Sequence, residues 1–411
     1  MSQERVEDLR PLEGGSVPTA PGSGTVMLIG ASAAQAALSF VILGLPAIGP
    51  QLRERFGLSL AGLGVLLAAM QFGSGIALIA AGAAADRWGP CAATRFGTAL
   101  ATLGLVLGAA ANSTPELIVG LFIAGVGGAI VPVSGAGAIF RTYPVGRRAW
   151  ALGVRQMAVP VGGMIAAVAV PTLEHLGGTS LVLWTGAVAV AVIGNAYAAV
   201  SEKTPIRHDD SVGIVRGIWR VPGLGKLFVV TVTYLFVLQA VLSYTVPAVR
   251  AAGFSAFAAG AAYFLVNATA IISRVIWGRV ADRDHGTRRR RTLVEVGTMS
   301  SVGALLFGLA LHASIVAVLF AVSFFGFAAL GWNAIVYAVA GEWATPARSG
   351  RAFAVAATVV FVGAALVNPV IGALAEWAGW NTLWLTAAVV ALIGTAVART
   401  LPDHGAEVAG G

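Results

Sequence analysis

Apolar runs of about 20 residues recur along the chain, separated by short stretches in which Gly, Pro, Arg and Asp collect. Wound as a helix with a rise of about 1.5 Å per residue, such a run spans about 30 Å of hydrocarbon. Twelve are expected, at 26–47, 59–81, 94–112, 115–140, 149–173, 179–199, 226–247, 257–278, 292–312, 314–340, 352–375 and 382–400. An even number returns both termini to one face. The longest interruption, SEKTPIRHDDSVGIVRGIWRVPGLG at 201–225, is charged, contains two prolines and divides the runs into two sets of six, 26–200 and 226–400. Residues 1–25 are polar, with Pro and Gly, and are expected to be a disordered tail; 401–411 form a second, short tail.

Composition agrees with this pattern. Hydrophobic residues make up 57% of the chain and charged residues 11%, against roughly 25% charged in soluble domains. Mean hydropathy is +0.85. The chain therefore reads as an all-α membrane protein. Its 53 glycines would weaken soluble helices, but in lipid small residues let helix backbones approach and pack closely. About 21 of the 26 Lys and Arg fall in the connections on the face that holds both termini, about three (Arg53, Arg55, Arg250) fall on the other, and Arg155 and Arg274 fall inside spans. That asymmetry predicts cytoplasmic termini in a cell membrane. It also accounts for the net charge of +8 without nucleic acid, since the basic residues sit in short connections, the RRRR of 288–291 included.

Two phrases repeat about half the chain apart. GAAADRWG at 82–89 follows the second run, and GRVADRDHG at 278–286 follows the eighth, the second of its own set. The repeat marks a duplicated six-helix unit. Twelve spans as six plus six, with Gly82, Asp86, Arg87 and Gly89 in one copy and Gly278, Asp282 and Arg283 in the other, resemble the major facilitator superfamily of secondary transporters. The segments RRAWALGVRQMAVPVGG and GWNAIVYAVAGEWATPARSGRAFA are similar to matching segments of bacterial facilitators. The likeness covers roughly residues 26 to 400. It implies two pseudo-symmetric six-helix bundles that rock about a central binding site. It also implies that Asp86 and Asp282 gate the site, each beside a helix N-terminus of the opposite half, where the helix dipole favours negative charge.

Arg155 and Arg274 need an explanation of their own, because a charge within a span costs at least about 2.5 kcal/mol on insertion scales unless it meets a partner or water. In the superfamily fold the fifth and eighth helices meet across the two halves, which would bring both arginines to one ligand. A guanidinium stays charged and offers paired donors to a carboxylate. Arg274 stands one turn before Gly278, similar to the substrate arginine of monocarboxylate and oxalate–formate transporters; snorkelling or gating is the alternative role. Gln156 beside Arg155, with Gln35, Tyr234, Gln239, Asn267, Trp332 and Asn333 near the middle of cavity-lining spans, completes the candidate substrate set. Interhelical hydrogen bonding is the alternative for each, and Gln71 and Asn368 are assigned to it. Pro132, Pro160 and Pro369, with Gly162 and Gly163, are expected to permit bending.

No Asp or Glu falls near the middle of a span, so the usual carboxylate proton relay is missing. The lone Cys91 and the scattered histidines offer no metal site, no cofactor is implied, and no catalytic constellation appears at membrane depth. The expectation is a non-enzymatic secondary transporter, working as a monomer in the bilayer. Its partner is a small organic solute, an organic anion such as a carboxylate, with a proton or counter-substrate as a possible companion. A drug or metabolite efflux antiporter and a transport-dead sensor are the alternatives.

Overall fold

A computed structural model describes residues 23–143, 145–201, 223–281, 288–343 and 349–402 of the chain. The expected tails and linker lie mostly outside these residues. Among the described residues every regular element is helical: α1 (Ser23–Ala47), α2 (Gly49–Phe56), α3 (Leu60–Trp88), α4 (Pro90–Ala109), α5 (Thr114–Gly128), α6 (Ile130–Thr142), α7 (Val145–Val200), α8 (Leu224–Ala251), α9 (Ala256–Ala281), α10 (Arg289–Ala310), α11 (Ile315–Ala329), α12 (Asn333–Trp343) and α13 (Ser349–Arg399).

Two of these runs are hairpins. α7 reverses at Gly177 and Gly178, where the second residue has φ 65°, and α13 reverses at Gly379 with φ 81°. Glycine takes this backbone without a Cβ clash. The packing of α7 on α1 shows the reversal: Gly162 lies on Ala36 and Val170 on Gly44, whereas Gly186 lies on Val41 and Tyr197 on Gly30. The ten long apolar runs thus make twelve crossings, as the hydropathy pattern predicts. We call the face at which α1 starts and α13 ends the tail face, and the opposite one the far face.

Spans four and ten are each interrupted near their middle. Pro132 has no N–H to give the Gly128 carbonyl, and α5 yields to α6 at Ala129 beside that carbonyl. Span ten breaks at 330–332 between α11 and α12 without a proline. Helix α2 was not expected. It follows from GPQLRERF, with Pro50 in the first turn, Leu52 buried and Gly57 closing it at φ 62°.

Small residues set the closest approaches. Gly97, Ala101, Gly104 and Gly108 form one ridge of α4 and meet Gly120, Ala124 and Gly127 of α5 backbone to backbone. A Cβ on Gly104 would meet the Ala124 amide and the Gly120 carbonyl. Dispersion between closely approaching backbones supplies the adhesion that the hydrophobic effect cannot supply inside lipid.

The two halves meet along two antiparallel helix pairs. Along α3 and α13, Gly64 faces Asn368, Gly75 faces Val362, and Leu78 packs with Ala357. Along the first arm of α7 and α9, the Gln156 carbonyl meets Arg274, Gly163 meets Asn267, and the Ala167 carbonyl faces Gly260. The far face is sealed by hydrogen bonds. Tyr263 donates to the Leu43 carbonyl across the seam (2.8 Å), and Tyr244 donates to the Asn368 carbonyl within its own half (2.7 Å) and to the Leu60 carbonyl across the seam (3.4 Å). The Glu376 carboxylate accepts from the Ala61 amide in the first turn of α3 (3.3 Å), where the helix dipole favours it. Pro247 packs on Gly49 beside them.

Two outcomes follow. Gly104→Leu drives a side chain into the α5 backbone and costs upwards of about 3 kcal/mol, read as loss of the monodisperse peak and of the thermal transition in detergent. Tyr244→Phe combined with Tyr263→Phe removes the aromatic far-face hydrogen bonds between the halves, worth together about 1–2 kcal/mol. In a Cys91→Ser background, a cysteine replacing Leu63 is then labelled by a maleimide about tenfold faster than with both tyrosines present.

Candidate functional site

Arg155 lies in the first arm of α7 and is 2% exposed. Its Nη1 donates to Gln35 Oε1 of α1 (3.2 Å), while its Nε has no partner among the described residues. Arg274 is presented by α9 from the other half. Its Nη1 donates to the Gln156 carbonyl, and its Nε is likewise buried without a partner. Neither guanidinium makes an ion pair among the described residues; the ion pair found there is the exposed Arg291–Glu295 contact (3.1 Å). Tyr337, on α12, lies within electrostatic range of both arginines. Asn333 stands one helical turn before it.

Of the residues the sequence singles out, Gln35, Arg155, Gln156 and Arg274 come together here, Gln156 through its backbone carbonyl. Asn267 sits two turns away on the same face of α9, where it donates to the Tyr263 carbonyl (3.0 Å) and leaves Oδ1 unpartnered against Gly163. Gln239 donates to Gln71 Oε1 (3.1 Å), an amide pair that joins the halves through α8 and α3. Asn333 keeps Oδ1 buried and unpartnered.

Two candidates stand apart. Tyr234 donates to the Leu293 carbonyl of α10 (2.7 Å) and touches the Thr395 hydroxyl (3.5 Å), so its hydroxyl is spent inside the C-terminal bundle. Trp332 is 1% exposed and packs edge-on against Tyr234, with ring centroids 6.1 Å apart. The assignment of Asn368 to interhelical bonding is met only by its backbone, since both side-chain amide atoms are buried without partners. Gln71 does bond between helices, and the bond it makes crosses the halves. Tyr337 was missed, although its spacing of four from Asn333 places both on one helical face.

At the tail face, Gly89 has φ 82° and ψ 153°, which turns the chain from α3 into α4 and favours glycine at that point of the motif. Trp88 stacks edge-on against Phe96 (5.5 Å) across this turn. Asp86 is half-buried and makes no hydrogen bond or ion pair among the described residues, and Arg87 is exposed. Among the described residues, a Cβ at Gly82 would touch only Val133 at 3.9 Å, and at Gly278 it would touch nothing. Asp282 and Arg283 lie outside the described residues. The prolines meet their expectation differently: α7 stays helical through Pro160, and Gly162 and Gly163 serve close contact with Ala36 and Asn267.

Comparison with known proteins fits this architecture. A family model described as Major Facilitator Superfamily matches residues 27–334 and 277–410. An uncharacterized MFS-type transporter of Mycobacterium tuberculosis (strain CDC 1551 / Oshkosh) is 25% identical over 385 residues, covering 91% of this chain and 84% of that one. Among solved structures, a bacterial homolog of the human lysosomal transporter Spinster, inward-facing and unoccupied, superposes with TM-score 0.76 at 16% identity, covering 94% of this chain and 97% of that one. A D-xylose–proton symporter superposes with TM-score 0.74 at 15% identity, covering 92% and 98%. Duplicated bundles, a repeated Gly-x-x-x-Asp-Arg phrase and a family match across nearly the whole chain lead to one conclusion: this multi-pass membrane protein belongs to the Major Facilitator Superfamily of transporters.

Proposed function

We propose that the protein carries a small organic anion, a carboxylate, across the cell membrane by alternating access, with Arg155 and Arg274 as its ligands from the two halves. The observation that carries this reading is the pair of in-span guanidiniums, one per half, Arg155 buried and Arg274 half-buried, each with a buried Nε that has no partner and neither with a carboxylate partner among the described residues. Two in-span cations together cost at least about 5 kcal/mol to insert, and an anion that both halves hold offsets that cost. Gln35, Asn333, Asn267 and Gln239 supply amides around the charges, and Tyr337 supplies a hydroxyl.

Asp86 belongs to the gate. The antiparallel register of α3 on α13, continued from Leu78 and Ala357, brings it level with the start of α13, whose N-terminal amides suit a carboxylate. Asp282 has the same role toward span five. The tail face is cytoplasmic in this reading, because the connections there hold most Lys and Arg. No mid-span Asp or Glu is available to relay a proton, so a proton that accompanies the substrate travels on it or by way of Glu342, or a second anion moves in exchange.

In proteoliposomes, saturable uptake of at least one member of a panel of labelled mono- and dicarboxylates is expected. Arg274→Gln and Arg155→Gln should each lower kcat/KM about 10- to 100-fold, the value of a hydrogen bond to a charged group. Transport of a neutral or cationic solute that persists undiminished in Arg274→Gln would overturn the reading.

A further inference from the structure

Arg274 does not wait for a ligand unpartnered, and its partner is unusual for a helix interior. A helical carbonyl ordinarily accepts from the amide four residues on. Four residues after Gln156 stands Pro160, which has no N–H to give, so the Gln156 carbonyl is left without its intrahelical bond while α7 continues as a helix. Arg274 donates Nη1 to that carbonyl from the opposite half. Each half thus carries one defect that hydrocarbon penalises, an orphan acceptor in span five and an in-span cation in span eight, and each answers the other. Gly163, one turn beyond the proline region, lets Asn267 approach and keeps the two helices close enough for the contact.

We infer that Pro160 is a positioning residue for substrate binding: it creates a backbone acceptor that holds Arg274 in the empty carrier and that an incoming anion must displace. This rests on Arg274 being an anion ligand. The exchange is favourable because a carboxylate is a stronger acceptor than a carbonyl, roughly twofold in hydrogen-bond strength. The guanidinium's Nε is the free edge on which the carboxylate first lands. Displacement breaks a span-five to span-eight contact between the halves, so that binding and loosening of this seam are one event. The competition also sets affinity, because the carboxylate engages Arg274 fully only after its Nη1 bond to the carbonyl is broken.

The full chain in detergent provides the test, through a double-mutant cycle of wild type, Pro160→Ala, Arg274→Gln and the double variant, melted without ligand. Pro160→Ala restores the amide that the Gln156 carbonyl lacks. The expected result is coupling: Arg274→Gln lowers the melting temperature when Pro160 is present and lowers it by less than half as much beside Pro160→Ala. Equal losses in both backgrounds overturn the inference. If Pro160→Ala gives no folded protein, Pro160→Val, which restores the same amide with bulk nearer that of the proline ring, takes its place. A second arm titrates oxalate, lactate and succinate against the melting temperature. Pro160→Ala moves the midpoint of an effective carboxylate to lower concentration, up to about tenfold, because the competing acceptor is weakened. A midpoint that moves to higher concentration, as a loosened site would give, overturns the inference. Coupling in the cycle with no carboxylate effect on wild type leaves the Pro160-made hold on Arg274 standing and rejects the carboxylate as ligand.

Discussion

In the hydrocarbon core no water answers a donor or an acceptor, so each buried polar group has to be met from within the protein. Much of the seam between the halves can be read as answers to that demand. Tyr263, Tyr244 and Arg274 donate from the C-terminal half to backbone carbonyls at Leu43, Leu60 and Gln156 of the N-terminal half. Gln239 donates to Gln71 in the same direction. A carbonyl already in a helix keeps a second lone pair, and the Gln156 carbonyl, freed by Pro160, keeps both. The C-terminal half therefore docks by its side chains onto the main chain of its partner, and Glu376 is the acceptor that runs the other way.

Bonds of this kind suit a carrier because each is modest, about 1 kcal/mol, and reversible. The adhesion within a bundle is of another kind. Glycine and alanine ridges on α4 and α5 put backbone against backbone, which leaves no slack for sliding. A rigid bundle with a hydrogen-bonded, separable seam is the mechanical requirement for two halves that rock as units. Glu376 of α13 sits at the first turn of α3 on the far face.

The twelve crossings, their hairpin partners and the internal repeat were legible in the sequence, because length and apolarity suffice to define a span when water is excluded. Also legible were Arg155 and Arg274, since an in-span charge is rare enough to mark itself. Tyr234 shows the limit: a tyrosine at mid-depth reads the same whether its hydroxyl turns toward the other half or, as here, onto the Leu293 carbonyl of its own bundle. Tyr337 was passed over for the converse reason, because rotation of a helix about its axis is set by its neighbours and a nearly uniform apolar helix hardly records it.

The sequence by itself thus determined the number and length of the spans, the duplicated phrase and the presence of two cations within spans, most of it a consequence of hydrocarbon as a solvent acting on each segment alone. Only the tertiary structure decided which helix faces meet. That choice gave Gln156 and Arg274 to each other, set Gln71 against Gln239 and withdrew Tyr234 and Trp332 into the C-terminal core. The physical reason is that a carbonyl left open by a proline has no preference in sequence for its donor. The donor that reaches it is settled by how closely Gly162 and Gly163 let the surrounding helices approach.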